Sequence, residues 1–309
     1  MLWVLLILVL LILGISFVLY CKLFANFKRK KEQLTLMSGP EYQEMIAGRE
    51  AAAAKCQQIP AETVYVQSYD GKKLCGKLYM QNENAPWHIL HHAYRGGSFQ
   101  VMAPSLLHFF GRGENVLLLH LRSQGESEGH TITFGIQERR DTGVWADYLV
   151  NRFGQDTKIF LYGVSMGAAT VLMACGLELP RQVRGVIADC PYSSPVGVMT
   201  TVAGGNALVS KIVTFFAFMS AFVFGHFNIL ETSPLEAVQK TKAPVLLIHG
   251  TGDTFVPFSM SEDIQKANPE MVRLVPIEGA PHAGAILKDP DTYGRAVADF
   301  IADCTACSV

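Results

Sequence analysis

The chain has 309 residues, of which 50% are hydrophobic and 17% are charged, and its formal net charge is −1. A nearly neutral chain lacks the basic footprint of a nucleic-acid-binding protein, so we expect no nucleic-acid partner. The seven cysteines are an odd number scattered along the chain, which argues against a disulfide-stapled secreted protein. Without an N-terminal apolar segment, roughly 290 residues remain, enough for one α/β domain with an insertion or for two small domains.

Residues 1–21 are predicted to form a transmembrane anchor. The segment is almost wholly apolar, and the first charged residue is Lys22. About twenty apolar residues in a helix match the hydrocarbon thickness of a bilayer. A cleaved signal peptide is the alternative, but no basic region precedes the apolar run and no small-residue cleavage site follows it.

Residues 22–59 are predicted to form a basic juxtamembrane linker followed by a helix. Lys22 and the basic cluster at residues 28–31 follow the anchor directly, and the alanine run at residues 51–54 favours a helix. Positive charge beside a membrane segment tends to stay in the cytoplasm. We therefore expect a single-pass membrane protein whose main domain lies on the cytoplasmic side.

Residues 60–303 alternate between strand and helix patterns. The domain opens with two alternating runs, residues 63–66 and 73–80, which the turn residues Asp70-Gly71 join as an antiparallel hairpin. Apolar runs typical of buried strands and amphipathic runs typical of helices then follow in turn. The predicted strands are residues 88–93, 115–121, 158–162, 184–189, 244–249 and 271–277, and the predicted helices are residues 102–111, 137–152, 259–267 and 290–302.

This alternation predicts the α/β fold class. Parallel strands joined by helical crossovers form a sheet with helices on both faces. We therefore expect a mostly parallel sheet flanked by helices. Residues 304–309 are predicted to be a tail, where the pair Cys304 and Cys307 is too close to the chain end to indicate a metal site.

The sequence Gly163-Val164-Ser165-Met166-Gly167 lies between a predicted strand that ends at Tyr162 and a predicted helix. A Gly-x-Ser-x-Gly sequence in this strand–turn–helix context is typical of a nucleophile elbow, which holds the serine hydroxyl clear of the sheet. A side chain at Gly163 or Gly167 would collide with the neighbouring strand or helix. We therefore predict that Ser165 is a catalytic nucleophile.

Residues 191–240 are predicted to form a helical cap. They lie between two predicted strands and show no clear strand pattern, and an interruption of about fifty residues is usually a lid or binding element. The apolar runs at residues 212–219 and 222–224 are interrupted by Lys211 and Ser220, which argues against a second membrane span. The cap is expected to face the active site or to rest on the bilayer beside the anchor, and these two arrangements are compatible.

A serine hydroxyl needs a base to accept its proton, and the base needs a carboxylate to orient and stabilise it. For an elbow serine the expected chain order is serine, acid, histidine. Asp253 follows a predicted buried strand and His282 follows the final predicted strand, so both should lie at the rim where ligands bind in open α/β sheets. His282 is the predicted base and Asp253 the predicted acid. Asp189, which ends the preceding strand, is the alternative acid.

The tetrahedral intermediate of acyl transfer needs two hydrogen-bond donors for its oxygen. The amide of Met166, at the start of the helix after the serine, is the first predicted donor. The amide of Tyr94, in the loop after the strand at residues 88–93, is the second. Both predictions rest on position, because a backbone amide has no side-chain signature. Arg122 and Asp141 are expected to form internal polar contacts.

Over residues 60 to 303 the chain resembles the α/β-hydrolase family, and most of all bacterial membrane-anchored or cytosolic hydrolases grouped with serine aminopeptidase and dienelactone-hydrolase-like proteins. The resemblance implies a Ser165–Asp253–His282 triad, a cap between the sixth and seventh strands, and neither a metal nor an organic cofactor. Ala93 stands where the family usually has glycine before the oxyanion amide. The segments that carry the resemblance are His92-Ala93-Tyr94-Arg95-Gly96, Leu121-Arg122-Ser123-Gln124-Gly125-Glu126-Ser127, Gly163-Val164-Ser165-Met166-Gly167, His249-Gly250-Thr251-Gly252-Asp253 and Pro281-His282.

The sequence therefore predicts a serine hydrolase that cleaves an ester or related acyl bond in a small, hydrophobic substrate. Peptidase activity on short peptides is a second hypothesis, and an acidic pair in the cap that could hold a free amino terminus would favour it. The cap offers only Glu231 and Glu236, near its end. A non-catalytic membrane-anchored binding protein is the third hypothesis, against which the complete set of Ser165, Asp253 and His282 argues.

Overall fold

The computed structural model describes residues 2–27, 42–96 and 99–306. The basic cluster at residues 28–31 therefore lies outside the described residues. The helices and strands alternate as the sequence predicts. Their bounds in chain order are α1 (Leu2–Leu19), α2 (Gln43–Cys56), β1 (Glu62–Gln67), β2 (Lys73–Tyr79), β3 (Trp87–His91), α3 (Phe99–Gly111), β4 (Asn115–His120), α4 (Glu138–Phe153), β5 (Ile159–Val164), α5 (Met166–Ala174), β6 (Val183–Asp189), α6 (Pro195–Val202), α7 (Ala207–Met219), α8 (Pro234–Val238), β7 (Val245–Gly250), α9 (Ser259–Ala267), β8 (Val272–Ile277), α10 (Ala285–Lys288) and α11 (Pro290–Ala306).

The eight strands form one sheet in the order β1-β2-β4-β3-β5-β6-β7-β8. β2 is antiparallel to both of its neighbours, and every pair from β4 to β8 is parallel. β5 lies between β3 and β6 near the centre of the sheet and continues to Val164, two residues beyond the predicted end at Tyr162. The carboxyl ends of β3, β5, β6 and β7 therefore share one edge, where open α/β sheets bind ligands.

The sheet is covered on both faces, which explains why its central strands are continuously apolar. Side chains that alternate along one strand enter different apolar clusters: Leu161 packs on the face covered by α4, α5, α8 and α9, and Tyr162 packs on the opposite face. The opposite face is covered by α2, α3 and α11. The predicted α/β class, a mostly parallel sheet flanked by helices, is confirmed.

The chain end differs from the prediction. α11 continues through Ala306, and Cys304 is buried in the cluster that contains Phe300 and Ile301. The predicted tail, residues 304–309, was therefore wrong at its start, because Cys304 lies on the apolar face of an amphipathic helix. Cys307 lies outside the described residues.

The connection between β6 and β7 is helical, as predicted. It contains α6, α7, a π-helical turn at Ser220–Phe224 and α8. Together α7 and the turn form one apolar helix, Ala207–Phe224, which is long enough to cross a membrane. The interruption at Ser220 that argued against a span does not end the helix, because it continues through this residue as a π-helical turn.

The N-terminal helix α1 begins as an exposed apolar rod and ends inside the protein. Residues 2–15 are mostly exposed. After α1 the chain makes a π-helical turn at Tyr20–Phe24, and Phe24 and Ala25 are buried in the same cluster as Leu161. The Tyr20 hydroxyl also forms a hydrogen bond with the Thr131 hydroxyl at 2.8 Å. Residues 20–25 therefore belong to the folded domain.

A buried ion pair ties the loop after β4 to α4. Arg122 is 1% exposed, and its guanidinium donates to both carboxylate oxygens of Asp141, at 2.6 and 2.7 Å. It also donates to the Gln137 side chain at 2.9 Å and to Asp70 at 3.2 Å. The expected internal contacts of Arg122 and Asp141 are therefore present.

Replacing Arg122 with alanine should lower the free energy of unfolding by about 3–5 kcal/mol, because the Asp141 carboxylate stays buried without its cation. The measurement is urea unfolding of the full chain in detergent, followed by tryptophan fluorescence, to which the buried Trp87 and Trp145 contribute. Arg152→Ala is the matched control: Arg152 is 35% exposed and pairs with Glu62 at 2.7 Å, and its loss should cost about 1 kcal/mol or less. Equal urea midpoints for the two variants would contradict a structural role of the buried pair.

Candidate active site

Ser165 occupies the sharp turn between β5 and α5. Its backbone has φ 56° and ψ −115°, a region that residues with a side chain rarely adopt. The Ser165 amide donates to the carbonyl of Asp189 at 2.8 Å, which ties the turn to the end of β6. The serine therefore stands at the carboxyl edge of the sheet, directly before the first turn of a helix.

The two glycines of the motif are required by close backbone packing. A Cβ at Gly163 would lie 2.2 Å from the carbonyl oxygen of Gly167. A Cβ at Gly167 would lie 2.0 Å from the carbonyl oxygen of His91 at the end of β3. These distances are far shorter than any van der Waals contact, so the predicted collisions with helix and strand are confirmed.

His282 lies in the loop between β8 and α10 and faces Ser165. The Ser165 hydroxyl lies 2.8 Å from Nε2 of His282. On the other side of the ring, Nδ1 lies 2.6 Å from Oδ2 of Asp253. A ring that donates from Nδ1 to the carboxylate leaves Nε2 free to accept the serine proton. The three side chains therefore form one hydrogen-bonded series, and each residue is at most 7% exposed.

Asp253 is held as a carboxylate by donors on both of its oxygens. The backbone amides of Phe255 and Val256 donate to Oδ1 at 2.9 and 2.8 Å. His249 and His282 contact Oδ2 at 3.2 and 2.6 Å. Burial would raise the pKa of Asp253, but the hydrogen bonds from His249, His282 and the Val256 amide outweigh it and hold the pKa below its usual range.

His249, the penultimate residue of β7, orients the loop that carries Asp253. Its Nδ1 lies 2.7 Å from the Ser261 hydroxyl, and its Nε2 lies 2.9 Å from the carbonyl of Val256. The carbonyl can only accept, so Nε2 carries the proton and Nδ1 accepts from Ser261. Nε2–H therefore also points at Asp253. This arrangement agrees with an orienting role for His249.

Asp189, the alternative acid, has different neighbours. Its Oδ2 accepts from the Tyr293 hydroxyl at 3.2 Å, and its Oδ1 has no hydrogen-bond partner among the described residues. Burial raises the pKa of Asp189 to about 6, although the nearby rings of His249 and His282 and the hydrogen bond from Tyr293 oppose the rise. Asp189 thus lacks the contact with the His282 ring that Asp253 makes.

The two predicted oxyanion donors belong to α5 and to the loop after β3. Met166 is the first residue of α5, and Tyr94 follows β3 in the loop that runs beside it. Within the described part of the chain, neither backbone N–H has a hydrogen-bond acceptor. Free amides at a helix start and in an adjacent loop are the groups that can bind a developing negative charge.

His92 fixes the loop that carries Tyr94. Its Nδ1 lies 2.8 Å from the carbonyl of Ala93, and its Nε2 accepts from the Leu121 amide at 3.2 Å. Because one nitrogen donates and the other accepts, the ring must be neutral. Burial lowers the pKa of His92 to about 3, which keeps it so. His92 therefore has a structural role in this loop.

Three hydrogen bonds of this loop were not predicted. The Tyr94 hydroxyl donates to the carbonyl of Leu23 at 2.7 Å, and the Arg95 guanidinium donates to the carbonyls of Lys22 and Ala25, each at 2.9 Å. The loop is thus bonded to the chain just after α1. Sequence reasoning had no signal for this pairing, because backbone carbonyls that accept these bonds leave no residue pattern.

Arg49 is a second unpredicted residue near the site. It lies in α2, is 2% exposed, and donates to the carbonyl of Ala283 at 2.7 Å. Ala283 follows His282 directly and has a positive φ of 54°. Arg49 therefore supports the strained backbone beside the base. Its only signal in the sequence is a charged side chain next to an alanine-rich run of the predicted helix.

Donor atoms that could hold a metal ion also meet at this site. The thiol of Cys190, the carboxylate of Asp253 and the ring of His282 lie within 4.8 Å of one another. Burial raises the pKa of the Cys190 thiol well above its usual range, so it stays protonated. A metal would have to displace that proton and break the bonds of His282 to Ser165 and Asp253, so these residues fit acyl-transfer chemistry better than metal binding.

Known proteins of one fold are similar to this chain. The sequence model of the α/β-hydrolase-fold family matches residues 86–233. The uncharacterized protein YqkD of Bacillus subtilis is 29% identical over 194 residues, which cover 62% of this chain and 64% of YqkD, less than two thirds of that relative.

Two solved esterases share the architecture. Esterase Pf2001 of Pyrococcus furiosus superposes with a TM-score of 0.66 at 21% identity, over 81% of this chain and 93% of the esterase. Est1E of Butyrivibrio proteoclasticus, solved with ferulic acid bound, gives a TM-score of 0.60 at 21% identity, over 79% of this chain and 99% of Est1E. At these identities the likeness shows the fold. Together with the family match over residues 86–233, it shows that the chain has the α/β-hydrolase fold.

Proposed function

We propose that the protein is a serine hydrolase that cleaves an ester or related acyl bond through an acyl-enzyme intermediate. The observation that carries the proposal is the buried hydrogen-bonded series from Ser165 through His282 to Asp253, with bonds of 2.8 and 2.6 Å. An α/β-hydrolase with this series can activate a serine at neutral pH. The likeness to two esterases, Pf2001 and Est1E, is consistent with an ester substrate.

The proposed reaction follows from the positions of these groups. Ser165 Oγ attacks the substrate carbonyl while His282 Nε2 takes its proton, and the carboxylate of Asp253 stabilises the imidazolium. The amides of Met166 and Tyr94 bind the oxyanion of the tetrahedral intermediate. His282 then protonates the leaving alcohol. A water molecule, activated by the same ring, attacks the acyl-serine carbonyl and regenerates the free serine.

The peptidase alternative receives less support from the cap. Binding a free amino terminus needs an unpaired carboxylate near the site. Glu231 already contacts the guanidinium groups of Arg139 and Arg140, at 2.5 and 2.8 Å. An ester is also the easier substrate, because an alkoxide leaves more readily than an amide nitrogen. We therefore rank ester hydrolysis above peptide hydrolysis.

We further propose that α1 anchors the protein in a membrane and is retained in the mature chain. The helix Leu2–Phe24 is long and apolar enough to span a bilayer. A removable signal sequence would not be needed for folding, whereas Phe24 is fully buried in the core of the domain and Tyr20 is 6% exposed. The basic residues that follow favour a cytoplasmic domain.

A fluorophosphonate probe tests whether Ser165 is a nucleophile. Its phosphorus should be attacked by the Ser165 oxygen with loss of fluoride, so the wild-type chain should be labelled and Ser165→Ala should not. The measurement is in-gel fluorescence of the full chain in detergent. Ser259→Ala is the matched control, because Ser259 is exposed and lies outside the series, and it should be labelled like the wild type.

An unlabelled but folded wild type would contradict the hydrolase proposal and favour a non-catalytic binding protein. Labelling of Ser165→Ala at the wild-type rate would show that another nucleophile reacts. Turnover of p-nitrophenyl esters, compared with aminoacyl p-nitroanilides, separates esterase from peptidase activity. A higher kcat/KM on the anilides would contradict the ester preference.

Exchanging the two candidate acids tests the role of Asp253. Asp253→Asn should lower kcat on a p-nitrophenyl ester by roughly 10⁴-fold, because the amide favours the wrong tautomer of His282. Asp189→Asn should keep kcat within about tenfold of wild type, since the amide oxygen can still accept from Tyr293 and no catalytic group is lost. The measurement is initial rate against substrate concentration at pH 8. Equal losses in both variants would contradict the assignment of Asp253 as the acid.

A further inference from the structure

The cap contains a helix whose outer face is apolar and uncovered. The helix runs through α7 and its π-helical turn, Ala207–Phe224, and carries a single charged residue, Lys211. Only 17% of its residues are buried within the protein. In the core of a soluble protein, a helix of this composition would have its apolar side buried against other residues. In the described part of the chain, no protein residues pack on the outer apolar side of this helix.

The exposed side chains lie along one side of the helix. They are spaced four, three and seven residues apart, which keeps them on a common face. The exposed fractions are 68% for Leu208, 49% for Ile212, 46% for Phe215 and 57% for Phe222. Large apolar side chains in a continuous row are costly in water, at about 25 cal/mol for each Å² left exposed.

The inner side of the same helix packs on the N-terminal helix α1. The Ser220 hydroxyl donates to the backbone carbonyl of Ser16 at 2.9 Å, and both serines are fully buried. The ring of Phe17 packs edge-on against that of Phe224, with centroids 5.2 Å apart. Small residues and hydroxyl hydrogen bonds at a helix crossing are typical of helices that associate within a membrane.

α1 is itself exposed along most of its length, so its apolar surface is continuous with that of the cap helix. Leu5 and Leu6 of α1 are 59% and 46% exposed, values similar to those of α7. With the π-helical turn that follows it, α1 forms a helix of 23 residues, Leu2–Phe24, and the cap helix has 18 residues; both have the length and composition of a membrane span. The apolar surface of α1 that would contact lipid therefore continues onto the cap helix.

We propose that the cap helix Ala207–Phe224 is embedded in the same bilayer as α1, with lipid acyl chains covering its outer face. This inference rests on the membrane anchor proposed above and deepens the proposed activity. Within the cap, α6 begins only a few residues after Asp189, at its N-cap residue Ser194, and it leads into α7, so the lipid-covered helix is joined through α6 to the edge that carries Ser165. The substrate class that this arrangement serves is an acyl ester resident in the membrane.

Quenching of tryptophan by brominated lipids tests the proposal. The full chain is reconstituted in phosphatidylcholine nanodiscs, with or without dibrominated acyl chains. Trp3→Phe provides the background, because the other tryptophans, Trp87 and Trp145, are each 1% exposed. In this background Phe215→Trp is compared with Tyr65→Trp; both positions are 46% exposed, but Tyr65 lies on the edge strand β1.

The added emission of Phe215→Trp should lie at shorter wavelength than that of Tyr65→Trp, and brominated lipid should reduce it at least twofold. The emission of Tyr65→Trp should not change. Emission of Phe215→Trp at the wavelength of a water-exposed indole, unaffected by brominated lipid, would overturn the proposal. Emission at short wavelength without quenching would also overturn it, because a second copy of the chain and not lipid would then cover the helix.

Further measurements on the same samples distinguish whether this inference is wrong or whether the proposals on which it rests are wrong. Trp3 in the otherwise unaltered chain reports on α1 alone. Quenching of Trp3 without quenching at position 215 would reject the embedded cap and leave the anchor standing. If neither is quenched, the anchor also fails. Fluorophosphonate labelling of Ser165 in the same nanodiscs reports on the hydrolase proposal, independently of both.

Discussion

Two carbonyl oxygens stand where the side chains of Gly163 and Gly167 would otherwise lie, and the site depends on this close backbone approach. The contact with His91 brings the start of α5 against the end of β3. It thereby brings the start of the helix that follows Ser165 close to the strand end that leads into the loop of Tyr94. Ser165 keeps its strained positive φ because β5 before it and α5 after it fix the backbone on both sides of the turn.

Side-chain hydrogen bonds join the N-terminal segment to the loop after β3. Tyr94 and Arg95 bond to carbonyls of Leu23, Lys22 and Ala25, so a proposed oxyanion donor is held by chain that directly follows α1. The cap helix packs on α1 at Ser16. The N-terminal segment, which is α1 and the turn after it, therefore contacts both the Tyr94 loop and the cap helix. The geometry of the Tyr94 loop thus depends on a segment outside the sheet.

Two buried carboxyl groups near the same histidines acquire opposite properties from their neighbours. Asp253 receives amide and imidazole hydrogen bonds on both oxygens, and its pKa falls. Asp189 has one hydroxyl partner, and burial raises its pKa to about 6. Both groups are nearly excluded from water, so the number of donors around each carboxylate decides which is the stable anion.

The sequence by itself determined the alternation of strands and helices, the serine turn and the order of serine, acid and histidine, because periodicity, small residues and loop position are local properties of the chain. It left Asp189 as an alternative to Asp253, since both follow strands that end at the same edge, and only the direction of the side chains separates them. It misplaced the chain end, because the burial of Cys304 depends on Phe300 and on the sheet beneath α11. The contacts of Arg49 with Ala283 and of Ser220 with Ser16 join residues 234 and 204 positions apart. Only the tertiary structure determines such pairings, because a charged or small residue in the sequence does not specify which distant residue it contacts.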